Sequence, residues 1–226
     1  VIREEGGYIV EGDIFIDDEH LRTQPKWGTH YVVETEQYHT TNLVYAPRVI
    51  TVSVDSKMPA AYKGSDGYVQ QALDRYNAEK LSLTFELVSS GGNINIVNAN
   101  GSYLASAGFP TASGNPHNQV KVNTRSLNGQ PSTTIASVLA HEIGHCIGFR
   151  HTDYMDRSIS CGGSTSNEGT STVGAVWIPN TPQTAAQVRE AITNGDHSFM
   201  LACISSGADR PFTASDKIAL NALYPR

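Results

Sequence analysis

Apolar and polar positions change rhythm several times along this chain, and each rhythm predicts an element. From Arg48 the run Val49-Ile50-Thr51-Val52-Ser53-Val54 alternates as a half-buried strand does. Leu83, Phe85 and Leu87 alternate within 81–88, Ile94-Asn95-Ile96 follows the turn Gly91-Gly92, and Val120-Lys121-Val122 makes one more strand. Residues 103–109 read as a short strand of small side chains ended by Pro110, ahead of a Ser/Gly/Asn/Pro loop over 111–118. Helical spacing appears at Val69, Ala72, Leu73 and Tyr76, which predicts a helix to about Lys80 with Ser65 or Asp66 as its cap. A second helix is predicted over 131–147, capped by Ser132 or Thr133, with Ile135, Val138, Leu139 and Ile147 facing inward. Residues 182–194 have helix composition with Gly195 as the stop, and Thr213-Ala214-Ser215-Asp216 is a capping box ahead of a last helix over 217–224. The Ser/Gly/Thr-rich stretch 152–180 is expected to lack regular structure.

The first residues behave differently. Over 8–16 β-branched and aromatic residues dominate, interrupted by Gly12-Asp13, so an extended chain with a bend is expected. Residues 17–47 are polar, without a sustained 3.6-residue period, and are expected to be irregular. A stretch with no core of its own must lean on another unit. The chain therefore divides into a mostly extended N-terminal segment, 1–42, and a folded domain, 43–226, the boundary falling within 36–48. The domain is expected to be α+β, with about five strands, a central helix and a C-terminal helix.

Composition narrows the classes. At 226 residues the chain suffices for one large domain, or one domain with an appendage. A formal charge of −6 argues against nucleic acid as a partner. No run of 18 apolar residues exists to span a membrane. The chain starts at Val1 and shows no signal peptide, so a trimmed protein is expected. Only 17% of residues are charged while Ser, Thr, Asn and Gly abound, which suits a protein secreted by a bacterium. Of three cysteines, Cys146 is expected to be a small buried apolar residue. Cys161 and Cys203 are expected to pair in an oxidising compartment, the alternative being two free thiols.

The chemistry concentrates in His141-Glu142-Ile143-Gly144-His145-Cys146-Ile147-Gly148-Phe149-Arg150-His151. On a helix turning about 100° per residue, His141 and His145 lie one turn and roughly 40° apart, so both imidazoles can hold one Zn²⁺. Glu142 sits beside them, free to handle a water molecule. On a continuous helix His151 would be rotated by roughly 240° from His145 and carried about 9 Å further along. The chain must therefore turn back, and Gly148 is the residue that tolerates positive φ there. Three neutral imidazoles leave a fourth position open, the pattern of a catalytic zinc site.

This extended motif resembles that of the metzincin metallopeptidases, and its wording is most similar to the bacterial HEIGH-type (myroilysin-like) peptidases related to astacins. Met155-Asp156-Arg157 is also similar to the stretch after the motif in astacins. The resemblance implies a metzincin-type zincin fold and hydrolysis of protein or peptide substrates by a water activated at the zinc, with Glu142 as general base. It implies that 103–109 is a cleft-edge strand on which substrate lies as an extra antiparallel strand, and that Met200 is the methionine of a turn beneath the zinc. Val10-Glu11-Gly12-Asp13 resembles the F-x-G-D motif of astacin zymogens, with Val in place of Phe. By that resemblance Asp13 takes the fourth zinc position and 1–42 is an inhibitory prosegment, so the chain is a secreted, monomeric proenzyme. An oxygen anion suits that position on physical grounds as well, and Gly12 lets the backbone come close. Astacins carry a Tyr two residues after the turn Met, where this chain has Ala202, so no tyrosine ligand is carried over; His197 and Tyr154 are weak candidates for assisting the oxyanion. The competing expectation is an inactive metzincin-like binding protein with a structural zinc.

Overall fold

The structure, a computed structural model, describes all residues except 5, 19–20, 22–36 and 171. Most of the irregular stretch expected over 17–47 therefore lies outside the described residues. The architecture is α+β as expected, but the main sheet has eight strands rather than about five. The difference comes from the N-terminal segment, which contributes β1 (Ile2–Glu4), β2 (Gly7–Val10) and β3 (Ile14–Asp17). A two-residue β4 (Tyr38–His39) follows, then β5 (Arg48–Val54), β6 (Leu83–Val88), β7 (Ile94–Asn98), β8 (Ala105–Ala107) and β9 (Gln119–Val122). The sheet order is β1-β2-β3-β8-β9-β7-β5-β6. Strands β5, β6, β7 and β9 are mutually parallel, and β8 runs antiparallel to β9.

What the sequence suggested as an extended chain with a bend is a hairpin. β2 and β3 pair antiparallel with Val10 opposite Ile14, so Glu11, Gly12 and Asp13 form the tip. Glu11 (φ 57°) and Gly12 (φ 98°) both adopt left-handed backbone there, which Gly tolerates without strain. β3 then lies parallel to β8, Ile14 opposite Ala107, and the Ala107 N–H donates to the Asp13 carbonyl at 3.0 Å. The strand expected to be a free cleft edge is thus covered on both sides. Ile9, Ile14 and Ile16 are buried. Ile14 and Ile16 pack with Phe109 and Val173. At about 1.5–3 kcal/mol per buried side chain, the hairpin is held by more than its polar contacts.

Helices α1 (Tyr68–Ala78) and α2 (Ser132–Ile147) pack together, Tyr76 Oη donating to the Ala140 carbonyl at 2.6 Å. Neither starts with the side-chain cap expected of it. α1 begins after Gly67, where a Cβ would sit 2.4 Å from the Lys63 carbonyl oxygen, so the chain folds back too tightly for Ser65 or Asp66 to reach the helix end. α2 begins after Pro131, whose ring presets φ at −55° and leaves Ser132 and Thr133 inside the first turn. From Thr134 to Ile147 every residue of α2 is buried. Gly148 ends it with φ 112°, its N–H donating to the His145 carbonyl at 2.9 Å.

Beyond α2 the chain is mostly irregular, as expected over 152–180, apart from a one-turn α3 (Ser158–Cys161) and β10 (Val176–Trp177), which pairs with β4. α4 (Ala185–Thr193) is capped by Thr184, and α5 (Ala214–Leu223) carries the predicted capping box between Thr213 and Asp216. Cys161 and Cys203 are disulfide-bonded, and Cys146 is free and buried. Among the described residues no helix is long and apolar enough to cross a membrane.

Two stability outcomes follow. A Cβ at position 148 would meet Leu43 Cδ2 at 2.7 Å in a left-handed backbone, so Gly148→Ala is expected to lower the unfolding free energy by at least about 1–2 kcal/mol in a denaturant titration. The disulfide closes a sequence separation of 42, so the double replacement Cys161→Ser, Cys203→Ser is expected to cost about 2–5 kcal/mol in the same titration.

Candidate metal centre

Helix α2 carries His141 and His145 on one face, and the reversal at Gly148 returns His151 to them. The three rings stand with centroids 4.6, 4.8 and 5.2 Å apart. Each Nδ1 faces an oxygen: His141 the Phe199 carbonyl at 2.9 Å, His145 the Phe149 carbonyl at 2.8 Å, His151 the Glu168 carboxylate at 2.8 Å. Carbonyls only accept, so Nδ1 of His141 and of His145 must be the protonated nitrogen, and in a neutral ring Nε2 then holds a lone pair. Those Nε2 atoms converge: His145 and His151 are 3.2 Å apart at Nε2. Asp13, at the hairpin tip, brings Oδ2 to 3.3 Å from His151 Nε2 and 3.7 Å from His141 Nε2. The four ligand atoms lie within 4.8 Å of one another.

This donor set fits a zinc ion. His141 Nε2, Asp13 Oδ1 and Glu142 Oε2 are all buried without a hydrogen-bond partner. Three nitrogens and one carboxylate oxygen are a common tetrahedral zinc donor set, and a divalent cation would satisfy lone pairs that otherwise repel.

Burial and close charges perturb His145, Glu142, Asp13 and His151. Burial, then the neighbouring His141 and His151, holds His145 well below its usual value, so its ring is neutral. Burial pushes the Glu142 carboxyl well above the usual carboxylate range, and Asp13 pushes it further. Burial alone would also raise Asp13, but His151 and His141 together hold its carboxyl well below the usual range. His151 goes up against its burial because Asp13 and Glu168 face it.

Met200 lies in a turn under α2. A Cβ on Gly144 would sit 2.6 Å from Met200 Sδ, so the bare glycine is what lets the turn approach. Two buried carboxylates hold that turn. Asp153 accepts from the Ala202 N–H at 2.9 Å, and Asp216 accepts from the Phe199 N–H at 3.1 Å and from Ser198 Oγ at 2.6 Å. Beside His141 and Glu142 opens a cavity of about 210 Å³, with Val138, Leu201 and Ile204 among its lining and Gly12 and Asp13 along one wall. His197 is exposed, and Tyr154 packs on Tyr38 at 4.4 Å between ring centroids; neither lines that cavity.

The structure therefore brings together all five residues singled out from the sequence, His141, Glu142, His145, His151 and Asp13. Sequence reasoning missed Glu168, which sits in a Ser/Gly/Thr-rich loop with no periodicity to mark it. It also read Asp216 only as a helix cap.

Comparison with known proteins bears on the family of the chain. The profile of the dual-action HEIGH metallo-peptidase family matches residues 8–224. No curated protein sequence matches. Two solved structures of myroilysin are similar at 16% identity: one covers 84% of this chain and 98% of its own with a TM-score of 0.47, the other 82% and 87% with 0.43. With the family profile running over nearly its whole length, the chain belongs to the HEIGH metallo-peptidases.

Proposed function

We propose that this chain is a zinc endopeptidase held in latent form by its own N-terminal hairpin. The observation that carries the reading is the convergence of three imidazole Nε2 atoms and the Asp13 carboxylate on one point, with Glu142 next to it. His141, His145 and His151 would hold the metal, and Asp13 would take its fourth position. When bound, zinc lowers the pKa of water and polarises a carbonyl.

The chain's own groups do the rest. Burial raises the proton affinity of the Glu142 carboxylate, which accepts a proton from water and returns it to the leaving amine. Asp13 does two things in the latent form: it occupies the place where water would enter, and its charge faces Glu142. The hairpin carrying it also covers β8, where a peptide substrate would pair. Residues 1–42 are the proposed prosegment and 43–226 the catalytic domain, with maturation within 36–48. The disulfide and the sparse charge favour a secreted protein acting outside the bacterial cell.

Two outcomes test this. In the full-length chain Asp13→Ala is expected to release chelator-sensitive cleavage of a denatured protein above that of the parent; no gain would remove the latency proposal. Adding Glu142→Gln to that variant should leave bound zinc unchanged and lower turnover by about 10²–10⁴-fold. Equal turnover with and without Glu142 would sink the mechanism, whereas zinc bound with no cleavage by any variant would leave the structural-zinc reading standing.

A further inference from the structure

We propose that Glu168 is a positioning residue for the metal centre: its carboxylate fixes the ring of His151 so that Nε2 faces His141 and His145. The inference rests on the metal-centre reading above and extends it to a residue outside the motif.

The three histidines are not held alike. His141 and His145 ride on α2, and their Nδ1–H groups donate to backbone carbonyls of Phe199 and Phe149. His151 lies past the Gly148 reversal on irregular chain, where no helix restricts its side-chain torsions. Its Nδ1 faces a side chain instead, Glu168 Oε1 at 2.8 Å. A carboxylate there obliges Nδ1 to carry the proton, leaves the lone pair on Nε2, and makes that nitrogen a stronger donor to a cation.

Glu168 is itself locked. Its side chain is 1% exposed, which would be costly for a carboxylate without partners. Arg157 Nη1 lies 3.2 Å from Oε1 and Arg150 Nη2 lies 3.7 Å from Oε2. The Glu168 N–H donates to the Tyr154 carbonyl at 2.8 Å. Arg150 in turn is fixed by the carbonyls of Gly169, Thr170 and Gly174, at 2.9, 3.3 and 3.1 Å from Nη1. Residues 168–170 and Gly174, which no pattern in the sequence marks, thereby surround the residue before His151, and Glu168 aims its carboxylate at His151 itself.

A purely structural role is the rival: Glu168 anchors the loop through its arginines and does nothing for the imidazole. The two separate in the full-length chain by measuring zinc affinity in competition with a chromogenic chelator, melting temperature, and the His151 Nδ1–H proton by NMR in the zinc-loaded protein. Glu168→Ala is expected to weaken zinc binding by about 10–100-fold and to abolish the Nδ1–H signal. Glu168→Gln keeps an oxygen acceptor and should recover most of the affinity and the signal. Arg157→Gln, which removes the anchor but leaves the acceptor, should lower the melting temperature with much less loss of zinc. The proposal is overturned if Glu168→Ala binds zinc like the parent, if Glu168→Gln is no better than Glu168→Ala, or if Arg157→Gln weakens zinc as much. Should Glu168→Ala fail to fold, the parent decides: no protected Nδ1–H on His151 in the zinc form overturns it as well. A parent chain that binds no zinc would instead refute the metal-centre reading, and this inference with it.

Discussion

Three imidazoles crowded at van der Waals range, their Nδ1 atoms all facing oxygens, are the constraint around which this molecule is arranged. Rings so placed bring their Nε2 atoms toward one another, an arrangement that a divalent cation would make favourable. Holding it requires rigidity from below and a reversal from above. The first comes from α2, buried from Thr134 to its end, with Met200 drawn up against Gly144. The second comes from Gly148, whose left-handed backbone sends the chain back over its own helix. The carboxylates of Asp153 and Asp216, far apart in sequence, both secure the Met200 turn, so the last helix and the segment after His151 are tied to the same floor.

The N-terminal segment is joined to this centre through the sheet as well as through one side chain. It adds three strands to the far edge, and its β2–β3 hairpin buries Ile14 and Ile16 against Phe109 and Val173 and delivers Asp13 from a tip made possible by two consecutive left-handed residues. Arg150 connects the two regions: it precedes His151 and also reaches Glu11 at 3.1 Å. The same buried guanidinium therefore touches the hairpin tip and the loop that carries Glu168. Residues just beyond the undescribed stretch are woven into the catalytic unit too, Gln37 donating to Asp216 at 2.7 Å and the Arg150 N–H to the Tyr38 carbonyl at 2.9 Å.

Much of this could be read from residue order because the signals are local. Helical period, strand alternation and the capping box at Thr213 depend on neighbours within a turn or two, and the histidine spacing is a statement about one helix and one glycine. What escaped depended on contacts between distant segments. The strands β1 to β3 pair with a sheet whose edge nothing at positions 2–17 announces. Ser65, Asp66, Ser132 and Thr133 are good capping residues by type, yet chain reversal over Lys63 and a preset Pro131 decided those helix starts. Glu168 is a lone acid in a polar loop, and only the return of that loop over His151 gives it a task.

The brevity of β8 has a further consequence. It has three residues, and Pro110, which has no N–H to offer a ladder, follows soon after. A molecule stripped of its first three strands would bare only a stub of unpaired backbone, too short for two copies to zip together edge to edge.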